Sequence, residues 1–325
     1  MRPAFSVIFL TTLIGVGQGL FLALYTGQTY ALFGLLPPQD GRAFQAVGSL
    51  VALLFLGAGL VASVFHLGRP ERAWRAAAQW RTSWLSREVI VLPAFMAAVA
   101  LYGAAHWLGW RAPLFALPGG YGVDSTLLLG SVGVLLCFAL FLCTGMIYAC
   151  LRFLQEWHTP LTVVNYLLLG GASGFVLAAA FAARAAPDTT AFFGGWAMVL
   201  TAAALVSRVA SLVRNARLKP KSSLRTAIGV KHPKIAQKSM GFMGGSFNTR
   251  EFFHGRSAAF LRSVKWLFLL LAFVLPLALL AGGINGAPAL LALAFLVQYV
   301  GLVAERWFFF AQVNHPQNLY YQVVG

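Results

Sequence analysis

The sequence predicts an all-α polytopic membrane protein, a bundle of eight transmembrane helices, and three observations predict it. Of its 325 residues, 59% are apolar and 10% are charged, against roughly 45–50% and about 25% in a soluble globular chain. Mean hydropathy is +0.77. The apolar residues gather into eight stretches, each near the roughly 20 residues that a helix needs to cross about 30 Å of hydrocarbon. Charge is sparse and falls mostly in the connections and at the ends of the stretches, 24 Lys and Arg against 8 Asp and Glu for a formal +16. This composition excludes an ordinary soluble enzyme and a disordered chain. Because the charges must lie outside the bilayer, the basic excess gives no ground for a nucleic-acid partner.

In chain order, the first stretch, 5–33, is too long for a signal peptide and lacks a small-residue cleavage pattern, so it reads as a retained helix. It is followed by the breaker Pro37-Pro38. The second, 43–67, stops at Gly68 and Pro70, and the third, 89–108, precedes the turn Pro118-Gly119-Gly120. The fourth, 125–150, holds Cys137, Cys143 and Cys150. They lack CxxC spacing and a partner cluster, so they read as packing residues and support neither a disulfide framework nor a metal site. Pro160 opens the fifth, 161–183, and Pro187 precedes the sixth, 191–213. The seventh, 264–283, and eighth, 287–310, meet at the tight turn Gly282-Gly283-Ile284-Asn285-Gly286. Continuous apolar runs of this length belong to helices and not to barrel strands. The chain thus reads as one integral membrane domain with a long basic connection, 214–262, holding eleven Lys and Arg. Those charges alone would suit a solvated loop near anionic lipid. Its Phe242, Met243, Phe247, Phe252 and Phe253 would be poor choices for a free linker, so the loop is expected to be ordered against a partner subunit.

Eight spans put both termini on one face, called A, with the loops after spans two, four and six. Face B carries Arg42, Arg111 and Arg184, each with an acidic neighbour in its loop, Asp40, Asp124 and Asp188. Face A therefore holds the whole +16, and the positive-inside rule makes it cytoplasmic. The loop after span two agrees on its own, with Arg69, Arg72, Arg75, Arg81 and Arg87.

Ionisable groups in or beside a span carry a functional expectation because they are costly there. His66 ends span two, Glu88 opens span three, Asn165 opens span five, and Arg208 and the pair Glu305-Arg306 lie near the ends of spans six and eight. Up-down topology places all of them at one depth, near face A. A carboxylate and an imidazole at that depth could bond the two oxygens of a quinone head group and exchange its protons. Helix-end anchoring would account for the same two residues, Glu88 sitting favourably at a helix N-terminus. Gln18, in the middle of span one, reads as a helix–helix hydrogen bond. A buried haem needs two facing axial ligands, and His66 and His106 lie at opposite faces, so no haem is expected.

The stretches Phe65-His66-Leu67-Gly68-Arg69-Pro70-Glu71-Arg72-Ala73-Trp74, Arg81-Thr82-Ser83-Trp84-Leu85-Ser86-Arg87-Glu88 and Glu305-Arg306-Trp307-Phe308-Phe309-Phe310, with Asn314-His315-Pro316-Gln317-Asn318-Leu319-Tyr320-Tyr321 and the 242–254 loop, resemble the membrane anchor subunits of dimethyl sulfoxide reductase-type molybdoenzymes. The resemblance covers essentially the whole chain. It implies a haem-free anchor in the bacterial inner membrane that exchanges electrons with menaquinone or ubiquinone. It implies two partners: a molybdopterin catalytic subunit, and an iron–sulfur subunit with [4Fe–4S] clusters docked on the basic face. It also implies that His66 and Glu88 handle the quinol's protons with an arginine between them, Arg72 or the nearby Arg69. Arg75, Asn165, Arg208 and Glu305 would stand behind. Anchors of this kind serve reductases and also cytoplasmic sulfite-oxidising complexes. A secondary transporter, which would show inverted repeats and broken midplane helices, and a purely structural anchor are the alternatives.

Overall fold

The computed structural model describes residues 5–65, 67–219, 223, 225–226, 229–232, 234 and 257–313. Among these, eight helices are long and apolar enough to cross a membrane. They are α1 (Phe5–Leu32), α2 (Val47–Val64, entered through a π turn at Gly41–Ala46), α3 (Trp84–Leu108), α4 (Ser125–Ala149), α5 (Pro160–Ala185), α6 (Thr190–Ala216), α7 and α8 (Ala289–Ala311). Helix α7 runs as Ala258–Leu269, a π turn at Leu270–Val274, then Leu275–Ile284. A two-stranded hairpin, Pro113–Ala116 with Gly122–Asp124, covers face B between α3 and α4. Most of the 214–262 connection and the tail beyond Val313 lie outside the described residues, as does His66.

Side-chain caps set several helix starts. Asp40 Oδ1 accepts from the amides of Arg42 (2.8 Å) and Ala43 (2.7 Å), and those backbone bonds, with Arg42 beside them, hold its carboxyl below the usual range. Ser83 takes the amide of Ser86 and starts α3 at Trp84, five residues before the 89–108 expectation. Glu88 therefore sits in the second turn and not at the helix mouth. Ser257 likewise caps α7, which begins at Ala258 with Arg262 and Lys265 already helical.

Helix α1 is the hub, packed against α2, α4, α5 and α8. Its contact with α5 is a small-residue crossing in which Gly15 and Gly19 meet Gly170 and Gly174. A Cβ on Gly15 would lie 3.4 Å from the Gly170 Cα, and one on Gly174 would strike the Gly19 backbone. Without a hydrophobic drive inside lipid, such close backbone approach is what holds helices together. The central layer is apolar, with Phe21, Phe95, Phe141 and Val176 buried. Within it the Gln18 amide donates to the Cys137 carbonyl at 3.0 Å, joining α1 to α4. Cys137 and Cys143 are buried free thiols and Cys150 is exposed.

Candidate functional site

Near face A the packing opens into a narrow cavity of about 20 Å³ as measured by the space open to the centre of a water. Its polar lining comes from five helices: Thr11, Thr12 and Gln18 of α1, Glu88 of α3, Thr144 of α4, Tyr166 and Ser173 of α5, and Arg306 of α8. Glu88, Thr144, Tyr166 and Arg306 each lie four to six residues from a face A helix end. At about 1.5 Å per residue that is roughly 6–9 Å into the helix. Leu10, Leu169, Leu302 and Phe141 close the remaining walls.

Glu88 is half-buried and accepts a hydrogen bond from the Thr144 hydroxyl. On the other side, the Arg306 guanidinium lies 3.8 Å from the centre of the Tyr166 ring and 5.2 Å from that of Phe309. Arg306 Nε is also 3.9 Å from Glu305 Oε2, while the other oxygen of Glu305 is 2.7 Å from Arg208 Nε. All three ionic side chains are buried. Two guanidiniums thus share one carboxylate, which leaves this cluster one positive charge in excess. Burying such a group is costly unless an anion or an oxygen acceptor meets it.

Aromatic packing fixes this wall. Tyr148, Trp157, Tyr166, Phe309 and Phe310 form one cluster, with the Trp157 and Phe309 rings stacked at 5.3 Å and the Trp157 indole donating to the Phe309 carbonyl at 3.0 Å. Behind it the Asn165 amide donates to Ser211 (2.7 Å), tying α5 to α6. The Gln298 amide reaches Thr201 (3.2 Å) and the Ala272 carbonyl (3.3 Å) at the π turn of α7.

The structure thus sets Glu88 and Arg306 in one cavity, with Glu305 and Arg208 linked to Arg306, while Asn165 bonds Ser211 and does not line the cavity. Arg69, Arg72 and Arg75 are exposed on or beside a 3-10 helix, Pro70–Gln79, and none of them lines the cavity. His66 lies outside the described residues. Sequence reasoning missed Thr144, Tyr166 and the α1 threonines. Hydroxyls in a span are ordinary, and the one available signal was depth: Thr144 and Tyr166 stand at the level of Glu88.

Two comparisons bear on this arrangement. The family described as "DMSO reductase anchor subunit (DmsC)" matches residues 1–321. The chain is similar to a sulfite dehydrogenase subunit of Allochromatium vinosum, at 60% identity over 326 residues and 100% of both chains. It is similar also to "Anaerobic dimethyl sulfoxide reductase chain YnfH" of Escherichia coli, at 30% identity over 148 residues, 45% of this chain and 48% of that one.

Proposed function

The chain belongs to the DMSO reductase anchor subunit family, and from that premise we propose that it is the quinone-reactive subunit of its complex. Membership makes it a multi-pass membrane anchor of a DMSO reductase-type or sulfite dehydrogenase-type complex, working with catalytic and electron-transfer subunits. The finer reading is that electrons pass between an iron–sulfur subunit on basic face A and a menaquinone or ubiquinone head group held by Glu88 and Arg306. The observation that carries it is one cavity at face A depth lined by both a carboxyl, Glu88, and a guanidinium, Arg306.

The chemistry follows from those two groups. A quinone head group has two oxygens on opposite edges, and each gains a proton on reduction and loses one on oxidation. Glu88, oriented by Thr144, exchanges a proton with one oxygen. Arg306, held flat on Tyr166, donates to the other and meets the negative charge that collects there. Its uncompensated charge suits a site that must favour an electron-rich oxygen. The cavity as it stands has room for about one water, so head-group entry requires Leu10, Leu169 and Leu302 to part. His66, two residues beyond the end of α2 in the sequence, is the second proton-handling group on this reading.

Electron flow toward quinone, as in a sulfite-oxidising complex, is supported by full-length similarity to a sulfite dehydrogenase subunit. It fits face A in the cytoplasm of a bacterial inner membrane, with both termini there. Replacing Glu88 with Gln keeps the volume and removes the exchangeable proton. Quinone-linked turnover of the assembled complex should fall at least about hundredfold, while turnover of the soluble subunits with an artificial electron acceptor stays intact. Quinone-linked rates that survive in E88Q refute the assignment and leave a structural anchor.

A further inference from the structure

The connection between α2 and α3 contains ten residues of 3-10 helix, Pro70–Gln79, although runs beyond about 3–4 residues are uncommon for this helix. Its residue pattern matches the geometry. With three residues per turn, positions i, i+3 and i+6 eclipse, so the helix is a three-edged prism. One edge carries Arg72, Arg75 and Ala78, and Arg81 follows in the turn beyond the helix end. The next carries Glu71, Trp74 and Ala77 with Trp80 as the cap, and Ala73, Ala76 and Ala77 are partly buried. At 3.6 residues per turn, the same arginines and tryptophans would intermingle around the helix.

The arginine edge and both tryptophans are exposed. Trp74 is 71% and Trp80 51% exposed, and no residue of the helix is buried. Guanidiniums stand beside the indoles, Arg75 at 5.5 Å from the Trp74 ring centre and Arg81 at 4.9 Å from that of Trp80. Glu71, at the N-terminal end, is 3.9 Å from Arg72. Arg87 of α3 donates to the carbonyls of Trp80 (2.9 Å) and Arg81 (2.8 Å), which ties the prism's C-terminal end to the first turn of a spanning helix. The other end follows α2 within a few residues of Val64.

We infer that this prism is a binding surface for anionic phospholipid at face A. The prism connects two helices long and apolar enough to span the bilayer, which would set it near the depth at which indole rings partition and phosphates lie. The tryptophan edge suits the headgroup–acyl boundary of any bilayer. Arg72 and Arg75, one turn or about 6 Å apart, with Arg81 just past the helix end, add a preference for phospholipids with net negative headgroups. This inference stands apart from the quinone assignment, because no prism residue lines the Glu88 cavity.

The test is hydrogen exchange of the full-length chain in nanodiscs of phosphatidylcholine alone or mixed with phosphatidylglycerol, read on the peptide covering 70–82. Exchange of this peptide should be slower in the anionic discs and return to the phosphatidylcholine rate at high salt. The substitutions R72Q, R75Q and R81Q should together erase the difference, each lowering the anionic preference about fivefold. Unchanged exchange in α4 and α5 of the variant shows that the bundle is folded. Equal rates in the two lipids overturn the inference. So does slowing that appears only when the soluble subunits are added, which would make the prism a protein-docking surface.

Discussion

Replacing Glu305 with Ala tests the buried charge cluster, because it removes the carboxylate shared by two guanidiniums. At 2.7 Å from Arg208, Coulomb's law gives ~6 kcal/mol of attraction at an effective permittivity of about 20. At 3.9 Å from Arg306 it gives ~4 kcal/mol. Most of this offsets the desolvation of three ions, so the net worth of the cluster is small while the cost of orphaning it is large. Both side chains of the shorter pair are 2% exposed, so little solvent screening discounts that cost. E305A should therefore destabilise the chain by about 3–5 kcal/mol. The double variant Arg208→Met/Glu305→Leu should recover most of that loss, since both ions of the tight pair leave together. The assay is equilibrium unfolding in mixed micelles, analysed as a double-mutant cycle. An E305A loss under about 0.5 kcal/mol, the scale of an ordinary surface substitution, would refute the reasoning. Full additivity of the two single losses would do the same.

Four further outcomes are expected. Tyr166→Phe keeps the ring face under Arg306 and should leave stability near that of the parent, whereas Tyr166→Leu should cost ~2 kcal/mol and depress quinone-linked turnover; equal effects of the two would remove the ring from the account. Gly174→Ala pushes a methyl into the Gly19 backbone, which cannot rotate away as a side chain would, so a loss of about 1–3 kcal/mol or failed accumulation in the membrane is expected, read by unfolding or by yield. Trp157→Phe leaves the buried Phe309 carbonyl without its donor and should cost about 1–3 kcal/mol in the same unfolding assay. Asp40 has its carboxyl held low by the amides it caps, so its contribution is present above the unfolded-state carboxylate pKa and is lost as pH falls through the folded one; the stability gap between parent and Asp40→Ala should be flat at neutral pH and close in acid, and a gap that widens on acidification would reverse the sign.

The spans were legible because each is a continuous apolar run, and burial in lipid demands nothing subtler. Their starts were less so. At α3 and α7 the hydrophobic run begins after the helix does, and the cap residues Ser83 and Ser257 precede it across polar turns that hydropathy scores as loop. Depth was read from alternating direction, which put Glu88, Asn165, Arg208 and Glu305 at one level; the structure pairs Arg208 with Glu305 and sets Glu88 in one cavity with Arg306. Azimuth was not. Every one of these helices is apolar nearly all round, so periodicity cannot say which face meets which neighbour. Arg306 was visible beside Glu305 in the sequence, but only packing turns it toward the cavity while Glu305 turns toward Arg208. The 3-10 prism was hidden for a related reason. Its period of three is clear only once the backbone is known to be 3-10, and an α-helical reading scrambles it.

The basic excess of face A resolves into chemically different populations, separated by how much water each keeps. Arg208 and Arg306 are buried and share Glu305. Arg87 and Arg214 spend their guanidiniums on backbone carbonyls, those of Trp80 and Arg81 for the first, Gln155 and His158 for the second. Arg72 and Arg75 on the 3-10 helix and Arg81 just past its end are exposed. Salt separates these groups, because the Debye length at physiological ionic strength, about 8 Å, screens exposed charges and scarcely reaches a desolvated pair. Ionic strength should therefore tune what face A attracts from outside, lipid or protein, and leave the Glu88–Arg306 cavity unchanged. An anchor built this way can hold a membrane surface through charges that salt weakens while keeping its inner cluster at fixed geometry. All of them belong to face A, but only the buried guanidiniums hold a geometry that ionic strength does not reach.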